Sequence, residues 1–121
     1  MNYFLVYTNY SMIEKIFGNK TAEKVLLHIY HYKNIHASAI AKDNNISLTP
    51  VLNQLHRFEA GSILASKEIG RSRIYFLNQK SPFYGPISDI LKIAYNNIPL
   101  SEREKIFGKR RRPRTKGKPI L

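Results

Sequence analysis

The stretch that decides the fold runs from Ile35 to Leu77. It opens Ile35-His-Ala-Ser-Ala-Ile-Ala-Lys-Asp-Asn-Asn-Ile-Ser47 and continues Leu48-Thr-Pro-Val-Leu-Asn-Gln-Leu-His-Arg-Phe-Glu-Ala-Gly-Ser-Ile-Leu64. It closes Ala65-Ser-Lys-Glu-Ile-Gly-Arg-Ser-Arg-Ile-Tyr-Phe-Leu77. Residues 37–44 read as a short helix with Ile40 and Ala41 facing inward. Asn44-Asn45-Ile46 makes a turn, because asparagine tolerates left-handed backbone angles. Ser47 then supplies an N-cap oxygen, and Pro50 sits in the first turn of a second helix, where a missing amide hydrogen costs nothing. Val51, Leu55 and Phe58 repeat at four and three, the buried stripe of a helix running to Ala60. Gly61 and Ser62 end it. Its opposite face carries Thr49, Asn53, Gln54 and Arg57. Residues 63–67 and 73–77 alternate as strands across Glu68-Ile69-Gly70-Arg71-Ser72, and a glycine within a short connection marks a hairpin.

Working outward, residues 11–17 place Ile13, Ile16 and Phe17 on one helical face, with Gly18 as the stop. Thr21 is the expected cap of the next helix, whose Val25, Leu26, Ile29 and Tyr32 form a core stripe. His28 and His31 lie three apart on it. No carboxylate at matching spacing accompanies them, so they read as packing or surface histidines rather than metal ligands. Ser81-Pro82 opens a loop. Beyond Pro86, Ile87, Ile90, Leu91, Ala94 and Tyr95 make a helix that ends before Pro99. The pentapeptide Glu-Lys-Ile-Phe-Gly occurs at 14–18 and again at 104–108, too short an echo to define a repeat.

Composition narrows the function. The chain has 121 residues, room for one domain with a modest core, and 20 Lys and Arg against 8 Asp and Glu, for a net charge of +12. That balance favours an anionic partner, nucleic acid first among them. The absence of cysteine excludes disulfides, thiolate metal sites and cysteine nucleophiles. The sequence has no apolar run near the ~20 residues of a membrane span. Its beginning lacks the pattern of a secretion signal, so a cytoplasmic, nucleoid-associated location is the expectation. Residues 101–121 hold nine basic and two acidic side chains, +7, whereas the first hundred hold eleven and six, +5. We therefore expect a folded domain over 1–98 and a basic, disordered tail over 99–121, too poor in apolar residues to offset its chain entropy.

The order of helices followed by a hairpin and a further helix resembles the winged helix-turn-helix, a mainly α fold with a small β-hairpin. Ile16-Phe-Gly-Asn-Lys-Thr-Ala-Glu-Lys-Val-Leu26 is similar to the opening of bacterial and archaeal transcription regulators of the arsenic-repressor (ArsR) and antibiotic-resistance-repressor (MarR) type. Ile40-Ala41, Ile46-Ser47, Val51, Leu55, Phe58-Glu59 and Ile63-Leu64 fall where that core pattern expects them, and Gly70–Asn78 looks like its wing. The resemblance spans roughly residues 10–98. Ser62 stands where the family often has glycine. The cysteine or histidine–carboxylate clusters of metal-sensing relatives are missing from the sequence, which leaves a sensor role without support.

The resemblance implies a regulator of transcription, a repressor in the first instance, that binds double-stranded DNA as a homodimer. Helix 47–60 would enter the major groove and wing 64–77 would meet the flanking backbone or minor groove. Amide side chains can address adenine N6 and N7 together, so Asn53 and Gln54 are candidates for base reading, with Thr49 at a thymine methyl or a phosphate. Arg57, late on the helix, is expected to clamp a phosphate, as are Lys42, Ser47 and His56. Lys67, Arg71, Ser72 and Arg73 are the wing contacts. In the tail, Lys109, Arg110, Arg111, Arg112, Arg114, Lys116 and Lys118 would track phosphates or lie in a minor groove. The same run matches a nuclear localisation patch, a common pattern. Dimerisation is expected through the N-terminal region, with Tyr3, Tyr7 and Tyr10, and through helix 87–95. The alternative is a winged-helix module that docks protein or binds RNA, or an architectural nucleic-acid binder. Neither a cofactor nor catalysis is expected: the chain lacks a Gly-rich phosphate loop, a metal-ligand cluster and a paired-carboxylate signature.

Overall fold

The computed structural model describes residues 13–107. Residues 13–17 are helical, and the elements that follow are α1 (Lys20–Tyr32), β1 (Asn34–His36), α2 (Ala37–Asn44), α3 (Leu48–Ala60), β2 (Leu64–Ile69), β3 (Ser72–Leu77), α4 (Tyr84–Asn96) and α5 (Leu100–Phe107). The fold is mainly helical with one small antiparallel sheet in the order β1-β3-β2.

Helix α1 is the central pillar. Ala22, Val25, Leu26, Leu27 and Ile29 are all buried, packed with Ile40 of α2, Val51, Leu55 and Phe58 of α3, Leu64 and Tyr75 of the sheet, and Ile87 and Leu91 of α4. Each fully buried large aliphatic side chain contributes about 1.5–3 kcal/mol of transfer free energy. The cap of α1 is Asn19, whose side-chain oxygen accepts from the Ala22 amide at 2.8 Å. The expected cap, Thr21, lies inside the helix. Asparagine two residues earlier already offers the oxygen at the reach that the third amide needs.

The turn between α2 and α3 is a Schellman motif. Asn45 adopts φ 56°, the Ile46 amide reaches back to the Ala41 carbonyl at 3.0 Å, and the Asn45 amide reaches the Lys42 carbonyl at 3.2 Å. The same device closes α3, where Ile63 N–H donates to Phe58 O at 2.9 Å and Ser62 to Glu59 O at 3.0 Å. The left-handed residue there is Ser62, at φ 65°, and Gly61 keeps an ordinary negative φ.

Three expectations shift. The hairpin is tighter than its five-residue connection suggested: the strands pair through Ile69 and Ser72, leaving Gly70 and Arg71 as a two-residue turn. Gly70 takes φ 62° while Arg71 does not turn positive, the type II′ pattern that glycine at the first central position permits. The hairpin also gains a third strand, β1, which pairs Ile35 with Tyr75. Finally, the domain does not stop at residue 98. Residues 100–107 form α5, and Phe107 is only 2% exposed, so the expected disordered tail over 99–121 begins too early.

Phe107 is held by an aromatic cluster. Its ring stacks on His31 at 4.5 Å and 10°, meets His28 edge-on at 4.8 Å, and lies 5.6 Å from Tyr95. The Tyr32 hydroxyl donates to its carbonyl. The two histidines are packing residues. His28 is fully buried with Nδ1–H donating to Lys24 O at 2.8 Å, and His31 Nδ1 bonds the Tyr95 hydroxyl at 2.6 Å. Among the described residues, no group of three or more potential ligands is arranged to hold a metal ion. Nor is any described helix long and apolar enough to cross a membrane.

Candidate nucleic-acid interface

Helix α3 buries Val51, Leu55 and Phe58 and thereby turns the opposite side outward. At 100° per residue that outward line passes through Thr49, Asn53, His56 and Ala60, and all four are exposed. None of Thr49, Asn53 or His56 spends its side chain on a hydrogen bond to another described residue. His56, expected as a backbone contact, thus sits on the same outward line as Thr49 and Asn53. Ser47 occupies the N-cap position of α3 with extended backbone angles, but its hydroxyl makes no cap bond and remains exposed. Lys42 is exposed on α2.

Gln54 and Arg57 are differently placed. Arg57 lies with its guanidinium 4.6 Å from the Phe58 ring centre. Its Nη2 donates to the Phe17 carbonyl at 2.6 Å, and Nε and Nη2 donate to Gln54 Oε1 at 3.1 and 2.8 Å. The arginine therefore ties the segment ending at Phe17 to α3. Gly18, at φ 114°, turns the chain directly beside it, where an added Cβ would lie 3.4 Å from Nη2. This engagement counts against the phosphate clamp expected of Arg57. It also removes the acceptor that bidentate adenine recognition by Gln54 requires, since Oε1 is already shared.

The hairpin is fixed to α3 by a short relay. Arg73 Nη1 donates to Ser66 Oγ at 2.9 Å, and Ser66 Oγ donates to Glu59 Oε2 at 2.6 Å. The Arg73 Nη2 also faces Glu68 across the ladder at 3.6 Å, an exposed pair of small energetic weight. Burial, aided by the nearby Glu59 charge, raises the Tyr75 phenol above its ordinary pKa, so the ring beneath the hairpin stays neutral. Lys67, Arg71 and Ser72 are exposed and unpaired within the described residues. Ile69, next to the turn, is 53% exposed, a large apolar group at the tip that no sequence period marks.

Between α3 and the hairpin lies an open cleft of about 180 Å³, lined by His36, Ala37, Ser38, Leu48, Leu52, Ser72, Arg73 and Tyr75. A second depression of about 110 Å³ lies elsewhere, between Tyr30 and Lys33 of α1, Phe76 and Leu77 of β3, and Tyr84 and Ser88 of α4.

The expected dimerisation helix is largely consumed by the fold itself. Ile87, Leu91 and Ala94 of α4 are buried in the chain's own core. What α4 and its flanks leave exposed is a different set: Phe83, Ile93 and Leu100, with Ile90 half-buried between them. The tail residues Lys109, Arg110, Arg111, Arg112, Arg114, Lys116 and Lys118, and the tyrosines Tyr3, Tyr7 and Tyr10, lie outside the described residues. Comparison of the chain with protein-family models, curated proteins and solved structures gave no match.

Proposed function

We propose that the chain is a winged helix-turn-helix regulator that binds double-stranded DNA sequence-specifically as a homodimer and represses transcription. In this reading α3 enters the major groove, and the hairpin is the wing that meets the adjacent backbone or minor groove. The observation that carries it is the joining of two surfaces by one cleft. An exposed helix line of uncommitted polar groups, Thr49, Asn53 and His56, and a basic hairpin with Lys67, Arg71 and Arg73 stand on the two elements whose Leu48, Leu52, Ser72 and Arg73 line the cleft. The dimensions suit the partner, since a B-DNA major groove admits an α-helix and reads out through its donors and acceptors. A net charge of +12 supplies the long-range attraction, most of it from the basic run after Gly108.

Base reading is assigned to Asn53 and Thr49, with His56 as the third group on the line. Arg57 and Gln54 hold the helix in place instead. The second copy would pack on the exposed apolar set Phe83, Ile90, Ile93 and Leu100. A two-fold dimer then addresses half-sites about 34 Å apart or a multiple of that.

Selection of bound sites from random duplex DNA tests the whole reading. A sharp palindromic site supports it, and binding without sequence preference leaves only an architectural role. Competition with structured RNA and single strands separates the remaining cases: preferential displacement by RNA would overturn the duplex assignment. Replacing Ile93 with Glu should convert a sedimenting dimer to monomer, and a wild-type monomer with and without DNA would refute the dimer.

A further inference from the structure

A helix in the major groove and a hairpin at the neighbouring minor groove must straddle the strand that divides the two grooves. That geometric necessity gives the cleft between α3 and the hairpin a specific occupant. Its lining divides by chemistry. Leu48, 43% exposed, Leu52 and the Tyr75 ring form an apolar side, and His36, Ser38, Ser72 and Arg73 form a polar one. A phosphodiester-linked deoxyribose has the same division, an apolar sugar face and an anionic phosphate.

The polar side is organised in advance. Arg73 is held at Nη1 by Ser66, itself bonded to Glu59 of α3, and its Nη2 faces Glu68 at 3.6 Å, so its guanidinium is steered before any ligand arrives and Nε–H is the donor left for a phosphate. His36 Nδ1 lies 3.2 Å from the Arg73 carbonyl. A carbonyl only accepts, so this nitrogen carries the proton, and the bond ties the histidine at the N-terminus of α2 to the same hairpin strand. The result is a cleft whose two walls, one from α2 and α3 and one from β3, are cross-linked through Arg73. Exposed apolar surface such as Leu48 has a use there, because contact with a sugar face removes it from water.

Resting on the duplex-DNA reading above, we infer that this cleft seats one sugar–phosphate unit of the DNA strand between the two grooves. Ser38, Ser72 and Arg73 donate to the phosphate, and Leu48 and Leu52 pack on the deoxyribose. The seat is indifferent to base identity. Its role is to set the register of α3 relative to the hairpin, so that Thr49 and Asn53 meet the same base steps each time.

The test compares Ser38→Glu with a control of equal charge, Gln79→Glu in the exposed loop between β3 and α4, using duplex DNA of a few helical turns. A carboxylate in the first turn of a helix is well tolerated, so S38E should fold, which thermal melting checks. We expect S38E to weaken duplex binding at least tenfold and to lower the slope of log K against log[salt] by about 0.9, one lost phosphate contact, with unchanged sequence preference. Q79E should change affinity less than threefold. Equal losses for the two variants would mean only net charge is sensed and would overturn the seat while leaving the duplex reading standing. Single methylphosphonate linkages walked along the duplex add a second readout: wild type should lose affinity at the linkage in the cleft, and S38E should lose nothing further there. Additive losses would also overturn the seat. Absence of any duplex binding by the wild type would remove the functional reading itself, and the seat with it.

Discussion

Replacing Phe107 with Ala should cost most of what this small domain has to spare. The side chain is 2% exposed, and its ring is enclosed by His31 at 4.5 Å, His28 at 4.8 Å and Tyr95 at 5.6 Å. Truncation removes the buried ring and leaves a cavity that the flat, hydrogen-bonded neighbours cannot close, because His31 is pinned to Tyr95 and His28 to its own helix backbone. Phe-to-Ala changes at such sites cost about 3–5 kcal/mol, against a typical total stability of 5–15 kcal/mol. At the lower figure the midpoint of thermal unfolding should fall by roughly 12–24 °C. The assay is urea or thermal unfolding of F107A beside wild type and beside a chain ending at Gly108. The last should match wild type in stability, since it keeps α5 and loses only the basic run. A chain ending at Ile98 should behave like F107A or worse. Stability of F107A within 1 kcal/mol of wild type would refute the docking of α5. The outcome also governs how the tail is studied: a cut at Ile98 confounds loss of charge with loss of core, and a cut after Gly108 does not.

Alanine at Asn53 should relax base preference at one position of a selected site by about 1–3 kcal/mol, measured by competition among single-base variants, whereas Gln54→Ala should change preference little. Uniform weakening across all sequences by N53A would reassign it to the backbone. Deleting residues 109–121 should lower affinity and the salt slope together while sequence preference stays; an unchanged slope excludes contact between the tail and phosphates. Burial, reinforced by the Glu14 charge, raises the Glu23 carboxyl from 4.5 to about 8. A group raised in the folded state stabilises most when both states are protonated, so its contribution is full below about 4.5 and is lost as the pH climbs to about 8. Glu23→Gln should therefore flatten the decline in the denaturant midpoint over that window, and an unaltered pH profile would exclude Glu23 as its source. Burial also lowers the His31 imidazole, with the charges of Lys33 and Arg103 adding to it. Its contribution is present above the ordinary imidazole value of about 6.5 and is lost on acidification, so mild acid should weaken wild type more than His31→Asn.

The elements that carry the candidate interface are legible in the sequence because their periods are strong. Val51, Leu55 and Phe58 select one face of α3, Ser47 and Pro50 set its start, and Asn45 marks the turn before it. Strand β1 is not legible, because three residues show no period and Ile35 finds its place only through Tyr75, far along the chain. Helix α5 is hidden by its composition. Ser101-Glu-Arg-Glu-Lys reads as a charged tail, and the burial of Phe107 depends on rings supplied by α1 and α4. The repeated Glu-Lys-Ile-Phe is a usable signal, since it is helical both at 14–17 and at 104–107.

The candidate site shows a deeper limit of the same kind. Periodicity tells which side of α3 faces out, and it correctly put Thr49, Asn53 and Arg57 there. It does not tell which outward groups are already hydrogen-bonded. Arg57 is committed to Gln54 on its own helix and to the Phe17 carbonyl, the latter bond existing only because the segment before Gly18 folds back beside α3. The Nε and Nη2 donors of Arg57 that are already paired offer an incoming base or phosphate little net gain, because one bond must be given up for another. On α3 the polar side chains that make no hydrogen bond to another described residue are Thr49, Asn53 and His56. Exposure alone overstates the candidate reading surface. The difference between exposed and uncommitted is what narrows it to that line of three, and what leaves Arg57 to orient the line rather than belong to it.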